Sequence, residues 1–142
     1  MKTVYLDSNV VLRFLLRDHP TLSPAARELF ALAEREELQL FIDPVALGEC
    51  CLVLGGKAYT EEFQSKQEIA DCLSRVLLLG GIVSYNLLEL VETLEVYAQS
   101  NVDFADAHLV VIARNRECAV ASFDRDFQHL DVDVVVPSSP QS

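Results

Sequence analysis

Short apolar segments alternate with longer segments whose apolar residues recur at helical spacing, and this alternation most constrains the fold. Residues 2–6 and 38–42 are predicted strands, and shorter strands are predicted at 82–84, 118–122 and 131–136. Parallel strands need a crossover of about a dozen residues or more, usually a helix. The sequence therefore predicts an α/β domain with a mainly parallel central sheet flanked by helices on both faces.

Capping residues indicate where the predicted helices begin. Ser8 is predicted to cap the first helix, and Ser23 followed by Pro24 predicts the start of the second. Asp43 followed by Pro44 gives the same pattern for the third helix. The later helices are predicted to begin near Thr60 and at the caps Asn86 and Asp103.

The length and composition favour one domain. A chain of 142 residues, 51% of them hydrophobic, can bury a core, and we expect the domain to span residues 1–136 with a polar tail at 137–142. No apolar run approaches the roughly 20 residues of a membrane span. An acid at position 7 interrupts the N-terminal apolar segment, so no signal peptide is expected and a cytoplasmic protein is predicted.

The net charge limits how this chain can bind a nucleic acid. The formal charge is −11, which repels a polyanion at long range. A nuclease of this composition would need bound cations, a local basic patch or a partner protein. Taken alone, the acidity is more simply explained as a means of keeping the protein soluble.

Four carboxylates lie where predicted strands end or helices begin. Asp7 directly follows the first strand, and Asp124 lies two residues after the fourth. Glu49 and Asp106 each lie in the first two turns of a helix. In open α/β sheets, sites form beyond the carboxyl ends of the strands. We therefore expect these four side chains to converge.

Each acid also has a purely structural interpretation. Asp7 and Asp124 could cap a helix or a turn, and Asp106 could complete a capping pair with Asp103. Glu49 could face solvent, although its helix shows no other polar face and so leaves this acid in need of a partner.

Gathered carboxylates favour a divalent metal site. Acids at one edge of a sheet repel one another unless cations bind between them. Oxygen ligands without nearby histidine or cysteine suit Mg²⁺ or Mn²⁺ better than zinc. Such ions polarise phosphoryl oxygens and lower the pKa of a bound water. The pattern is therefore typical of metal-assisted cleavage of a phosphodiester.

Four segments, in this order, resemble the motifs of the PIN domain as it occurs in VapC-type toxins. Each motif is short, but together they extend over nearly the whole chain. The matching segments are YLDSNVVLRFL (5–15), GECCLVL (48–54), DFADAHL (103–109) and SFDRDF (122–127).

The resemblance implies a fold, an activity and partners. It implies a PIN-like α/β domain that acts as a Mg²⁺- or Mn²⁺-dependent RNA endonuclease, paired with an antitoxin and often a homodimer. Asp7, Glu49 and Asp106 match the three most regular acidic positions, and Asp124 matches a more variable fourth. By this resemblance all four are catalytic, with Asp7 and Asp106 as the main metal ligands and Glu49 and Asp124 binding the metal directly or through water.

Further polar residues are expected to support the acids. By the same resemblance, Ser8 and Asn9 match a small polar pair that arranges the first acid and its waters. Asp103 is expected to act mainly as a helix cap, and Asp126 to lie outside the ligand set. The alternative to the nuclease is a catalytically inactive PIN-fold binding or regulatory module, which the acidic surface motivates.

Overall fold

The computed structural model of the chain describes residues 1–140 and contains two groups of parallel strands. Three strands pair in the order β1–β2–β3, and two later strands pair with each other. The strands are β1 (Thr3–Tyr5), β2 (Gln39–Phe41), β3 (Ile82–Val83), β4 (Val120–Ala121) and β5 (Val134–Val135).

Helices connect the strands, as a parallel arrangement requires. The predicted α/β class with a parallel sheet is confirmed. None of the helices in the described part of the chain is long and apolar enough to cross a membrane. The helices are α1 (Ser8–Leu16), α2 (Leu22–Glu34), α3 (Pro44–Leu54), α4 (Lys66–Leu77), α5 (Leu87–Gln99) and α6 (Phe104–Asn115), with 3₁₀ turns at Lys57–Tyr59 and Arg125–His129.

The strands occur where the sequence predicts them, but they are shorter, and they form two separate sheets instead of one. Among residues 1–140, β4 bonds only to β5, through the Val120–Val134 and Ala121–Val135 registers. Two hydrophobic clusters accompany this division. The larger one joins β1–β3 to all six helices, and the smaller one contains Val110, Ala113, Val120 and Phe127. Helix α6 contributes to both clusters.

The prediction that Ser8 caps the first helix is wrong. The cap is Asp7, whose carboxylate accepts the Asn9 N–H at 3.4 Å, because the backbone at Asp7 is still extended. Ser8 is the first helical residue, and its hydroxyl turns toward the protein interior instead. The predicted caps Asp43 and Asn86 are confirmed.

The predicted starts of α2 and α4 are also displaced. Helix α2 begins at Leu22, before Ser23, because the Nδ1 atom of His19 accepts the N–H groups of Thr21 and Leu22 at 3.2 and 3.0 Å. A histidine side chain thus takes the place of the expected serine cap.

Helix α4 begins at Lys66 instead of Thr60. Its cap is Ser65, whose hydroxyl accepts the Glu68 N–H at 3.2 Å. The Glu68 carboxylate in turn accepts the Gln64 N–H at 2.8 Å. This reciprocal pair satisfies two backbone donors and fixes the start of the helix.

The two faces of the β1–β2–β3 sheet are buried to different extents. Leu40 and Ile42 are fully buried on one face. On the other face Tyr5 is 63% exposed, and Tyr85, just beyond β3, is 72% exposed.

The predicted polar tail is only partly described. Residues 137–140 are exposed and carry no helix or strand. The rest of the tail, residues 141–142, lies outside the described residues.

Candidate active site

One group of predicted site residues surrounds the start of α1. The Ser8 hydroxyl lies 2.8 Å from the Glu49 carboxylate, to which it donates, and 3.4 Å from that of Asp7. Ser8 is buried, whereas Asp7 and Glu49 are exposed. A buried hydroxyl therefore connects the end of β1 to the middle of α3. We call Asp7, Ser8 and Glu49 the first carboxylate group.

The thiol next to this group is not a nucleophile. Burial, together with the nearby charges of Glu49 and Asp7, raises the pKa of Cys50 to about 12. The thiol lies 3.8 Å from the Ser8 carbonyl oxygen, to which it donates. Cys50 therefore stays protonated near neutral pH, as expected for a structural cysteine.

A second carboxylate group surrounds the start of α6 and consists of Asp103, Asp106, Asp124 and Asp126. The pKa of Asp106 is raised, first by burial and then by the charges of the other three acids. Asp103 caps α6 by accepting the Asp106 N–H at 2.9 Å. Asp124 caps the last 3₁₀ turn by accepting the Asp126 N–H at 2.9 Å. Asp106 thus lies close enough to the other three acids to be repelled by them.

Close packing of α3 against α6 sets the distance between the two groups. A Cβ atom on Gly48 would lie 2.8 Å from the Phe104 ring, so only glycine permits this approach. A cavity of about 670 Å³ opens beside the contact and is lined by Glu49 from the first group and Asp103 from the second. The helix contact therefore brings one acid of each group to a common cavity.

The structure does not gather all the predicted acids into a single cluster. Within residues 1–140, no three Asp, Glu, His or Cys side chains lie close enough together to hold one ion. Convergence of all four acids on metal therefore stays a prediction. Mg²⁺ characteristically keeps several waters and binds one or two carboxylates together with substrate phosphates. The donor chemistry of both groups fits such an ion.

Lys66 is a cavity residue that the sequence analysis missed. Its ammonium group donates to the carbonyl oxygens of Ser100 and Val102 at 2.8 and 2.6 Å, and lies 4.4 Å from the centre of the Tyr97 ring. Partial burial lowers the pKa of Lys66, although the charge of Asp103 acts in the opposite direction. Lys66 thus fixes the segment that leads into Asp103. No spacing in the sequence connects these residues.

His108 is a second cavity residue that no sequence motif indicates. Its ring stacks on Phe104 with centroids 5.8 Å apart, and its Nδ1 atom lies 3.2 Å from the Thr93 hydroxyl. Burial lowers the pKa of His108, which favours the neutral ring. No spacing in the sequence connects His108 with Thr93 or with the cavity.

Comparisons with known proteins place the chain in a family. The PIN domain family model matches residues 4–133. Among solved structures, the chain resembles the crystal structure of VapBC2 from Rickettsia felis bound to a DNA fragment from their promoter. The two chains are 11% identical over 94% of this chain and 97% of that one, with a TM-score of 0.39. No curated protein matches the chain. PIN domains are generally nucleases that depend on divalent metal. Because the family model covers nearly its whole length, the chain belongs to the PIN domain family.

Proposed function

We propose that the chain is a metal-dependent endoribonuclease that hydrolyses RNA phosphodiester bonds with a metal-activated water. The observation that carries this proposal is the placement of Asp103, Asp106, Asp124 and Asp126 around the start of α6, in a chain of the PIN family. Carboxylates held together against their repulsion are what a divalent cation stabilises.

Asp7, Glu49, Asp106 and Asp124 are the proposed catalytic ligands of Mg²⁺ or Mn²⁺. When bound, the ion supplies a polarised phosphoryl oxygen and a water of lowered pKa. The chain's own residues hold the ligands in place. Ser8 orients Glu49 through its 2.8 Å hydrogen bond, and the N–H of Asn9 orients Asp7.

Asp103 and Asp126 have supporting roles in this proposal. The Asp103 carboxylate is already engaged with the Asp106 N–H, which fixes the first turn of α6. The Asp126 N–H holds the carboxylate of Asp124. Both also add negative charge around Asp106, which increases the local attraction for a cation.

Because the chain is acidic, the proposed cation is also needed to reduce the repulsion between the protein and RNA. With a net charge of −11, the protein repels RNA until metal neutralises part of the site. We therefore expect RNA binding to depend on Mg²⁺ or Mn²⁺ as strongly as cleavage does. Such a dependence distinguishes this protein from nucleases that hold phosphates with lysine and arginine.

We also propose that the protein is the toxin of a toxin–antitoxin pair and acts in the cytoplasm as a homodimer. Helix α3 is apolar on its outer side, where Val45 is 70% and Leu52 79% exposed, and both residues line the cavity with Glu49 and Asp103. An apolar surface edged by acids complements a basic, amphipathic antitoxin segment.

The nuclease proposal is tested with purified protein and structured RNAs in the presence of Mg²⁺, Mn²⁺ or EDTA. Outer-shell substitutions at metal sites typically reduce activity 10–100-fold, so we expect Asp7→Asn and Asp106→Asn to lose more than about 100-fold. Asp131→Asn is the matched control, because that side chain is 94% exposed and lies outside both groups. Equal cleavage by the wild type and both site variants would show that the activity is not that of this protein.

The inactive-module alternative makes a different prediction. A domain without turnover needs no metal, so calorimetry would detect no Mg²⁺ or Mn²⁺ binding and no RNA would be cleaved at any metal concentration. Both results together would replace the nuclease proposal with a binding role.

A further inference from the structure

Three aromatic side chains form a row across the exposed face of the β1–β2–β3 sheet. Tyr5 and Phe41, which are paired in register, stack with ring centroids 4.4 Å apart. Tyr85 meets Phe41 edge-on at 4.9 Å. We call Tyr5, Phe41 and Tyr85 the aromatic row. It is unusual because aromatic rings on a sheet are ordinarily covered by a neighbouring layer.

The row leads to the ends of the strands where the carboxylates lie. Tyr5 and Asp7 are both exposed on either side of the buried Leu6, so they share one face of the extended chain. Phe41 and Asp43 flank the buried Ile42 in the same way. The row is therefore continuous with the first carboxylate group.

The strand residues of the face that carries the row are uncharged, and the acids Asp7 and Asp43 follow at its carboxyl end. Besides the three rings, its strand residues are Thr3, Gln39 and Val83, and Thr3 and Gln39 are hydrogen-bonded to each other at 3.3 Å. On a chain with a net charge of −11, an uncharged strip is where a polyanion meets least repulsion. A basic protein segment would instead be drawn to the acidic surfaces elsewhere.

We propose that the aromatic row binds single-stranded RNA by base stacking and guides it to the carboxylate groups. This inference rests on the proposed nuclease function and names the form of its substrate. Aromatic side chains stack on unpaired bases whatever their sequence, and the contact needs no positive charge. Bases paired in a duplex do not expose their faces, so the row selects unpaired segments.

The row also explains how an acidic chain can hold RNA at all. Stacking supplies affinity through the bases, while the cation supplies the only contact that the phosphate requires. The outer rings are the ones available to bases, because Tyr5 and Tyr85 are mostly exposed whereas Phe41 lies half-buried between them.

The inference is tested by measuring RNA binding separately from RNA cleavage. The wild-type protein is titrated in Ca²⁺, which binds carboxylates but activates water poorly, with an oligouridylate of about 12 nucleotides and with an RNA duplex of equal length. Binding is followed by anisotropy of the labelled RNA and by tyrosine fluorescence. The chain contains no tryptophan and four tyrosines, two of them in the row, so stacking quenches a large part of this signal.

Two kinds of substitution distinguish stacking from simple apolar contact. Tyr5→Phe and Tyr85→Phe keep a ring, and we expect their affinity for the oligouridylate to be unchanged. Tyr5→Leu and Tyr85→Leu keep an apolar side chain without a ring, and we expect each to bind on the order of tenfold more weakly. The control is Leu78→Ser, which removes an exposed apolar side chain at the opposite end of β3. Thermal melts confirm that each variant is folded.

Three other results would overturn the inference. Leucine variants that bind as tightly as the parent would show that stacking is not used. Leucine variants that dissociate a dimer in ultracentrifugation, with RNA binding unchanged, would assign the row to a second copy of the chain. Absence of oligouridylate binding by the parent would also contradict it. If ring removal abolishes binding but wild-type protein cleaves no RNA, the nuclease proposal fails while the stacking surface remains.

Discussion

The two carboxylate groups are organised by different physical means. In the first group, a buried hydroxyl from Ser8 donates to Glu49 and lies close to Asp7, so the acids are held by a side-chain hydrogen bond. In the second group, the carboxylates of Asp103 and Asp124 each accept a backbone N–H. Within residues 1–140 the Asp106 carboxylate accepts no hydrogen bond, and three neighbouring carboxylates repel its charge. The first group is thus satisfied without metal, and the second is the one that a cation would stabilise most.

The largest expected effect comes from separating the two groups. Gly48→Val places methyl groups against the buried Phe104 ring, where even a Cβ atom would be 2.8 Å away. Such overpacking costs about 2 kcal/mol, measurable by urea unfolding. Gly80→Val is the control, because a Cβ atom there meets nothing closer than 3.8 Å, and we expect a change within about 0.5 kcal/mol. Equal stabilities would show that the helix contact does not set the spacing.

The first group depends on Ser8, so its removal should weaken metal binding. Ser8→Ala leaves Glu49 without its donor, and loss of such a supporting contact lowers metal affinity about tenfold. A calorimetric titration with Mn²⁺ measures the change, with Ser138→Ala in the exposed C-terminal segment as the control. Unchanged affinity would mean that the first group takes no part in holding the ion.

The second group can be divided into its capping and charge contributions at Asp103. Asp103→Ala removes both, and loss of the cap alone destabilises α6 by about 1 kcal/mol. Asp103→Asn keeps a capping oxygen and removes only the charge. We expect thermal unfolding to show a loss for alanine and none for asparagine. Similar losses for both variants would indicate that the charge, and not the cap, stabilises the helix.

The smallest effect, a few tenths of a kcal/mol, should differ in sign between the groups. A raised pKa means that the folded state holds the proton of Asp106 more tightly than the unfolded chain does. The charged carboxylate therefore destabilises the fold at neutral pH, and this penalty disappears as the pH falls through the raised pKa. In EDTA, Asp106→Asn should raise the melting temperature slightly. Glu49→Gln should not, because it weakens the bond from Ser8. If both variants shift the melting temperature in the same direction, the two carboxylate groups do not differ in how their charges affect stability.

The sequence predicted the architecture well because strand and helix patterns are local. Both the alternation of apolar segments and the helix caps can be recognised from a few neighbouring residues, as at Asp43, Asn86 and Asp103. The start of α1 was predicted wrongly because Asp7 and Ser8 are about equally good capping residues. The start of α2 was predicted wrongly because histidine is not an ordinary capping residue, yet His19 accepts the first N–H groups.

The site was less accessible to sequence analysis for a related reason. Carboxylates after strands could be recognised one by one, but their division into two groups depends on the Gly48–Phe104 contact between residues far apart in the chain. Lys66 and the exposure of Tyr5 and Tyr85 likewise depend on tertiary packing, which no spacing reveals. Periodicity predicts which face a residue lies on, but not whether anything covers that face.

The division of the hydrophobic core has a consequence for local stability. The segment that carries Asp124 and Asp126 is held by the smaller cluster, in which Phe127 and Val120 pack against the last turns of α6. Elements with few buried apolar contacts open at lower free energy than the rest of a domain. Backbone amides from β4 to β5 should therefore exchange with solvent through local opening, while those of β2 exchange only on global unfolding. We therefore expect the half of the second carboxylate group on the 3₁₀ turn to open more readily than the half at the start of α6.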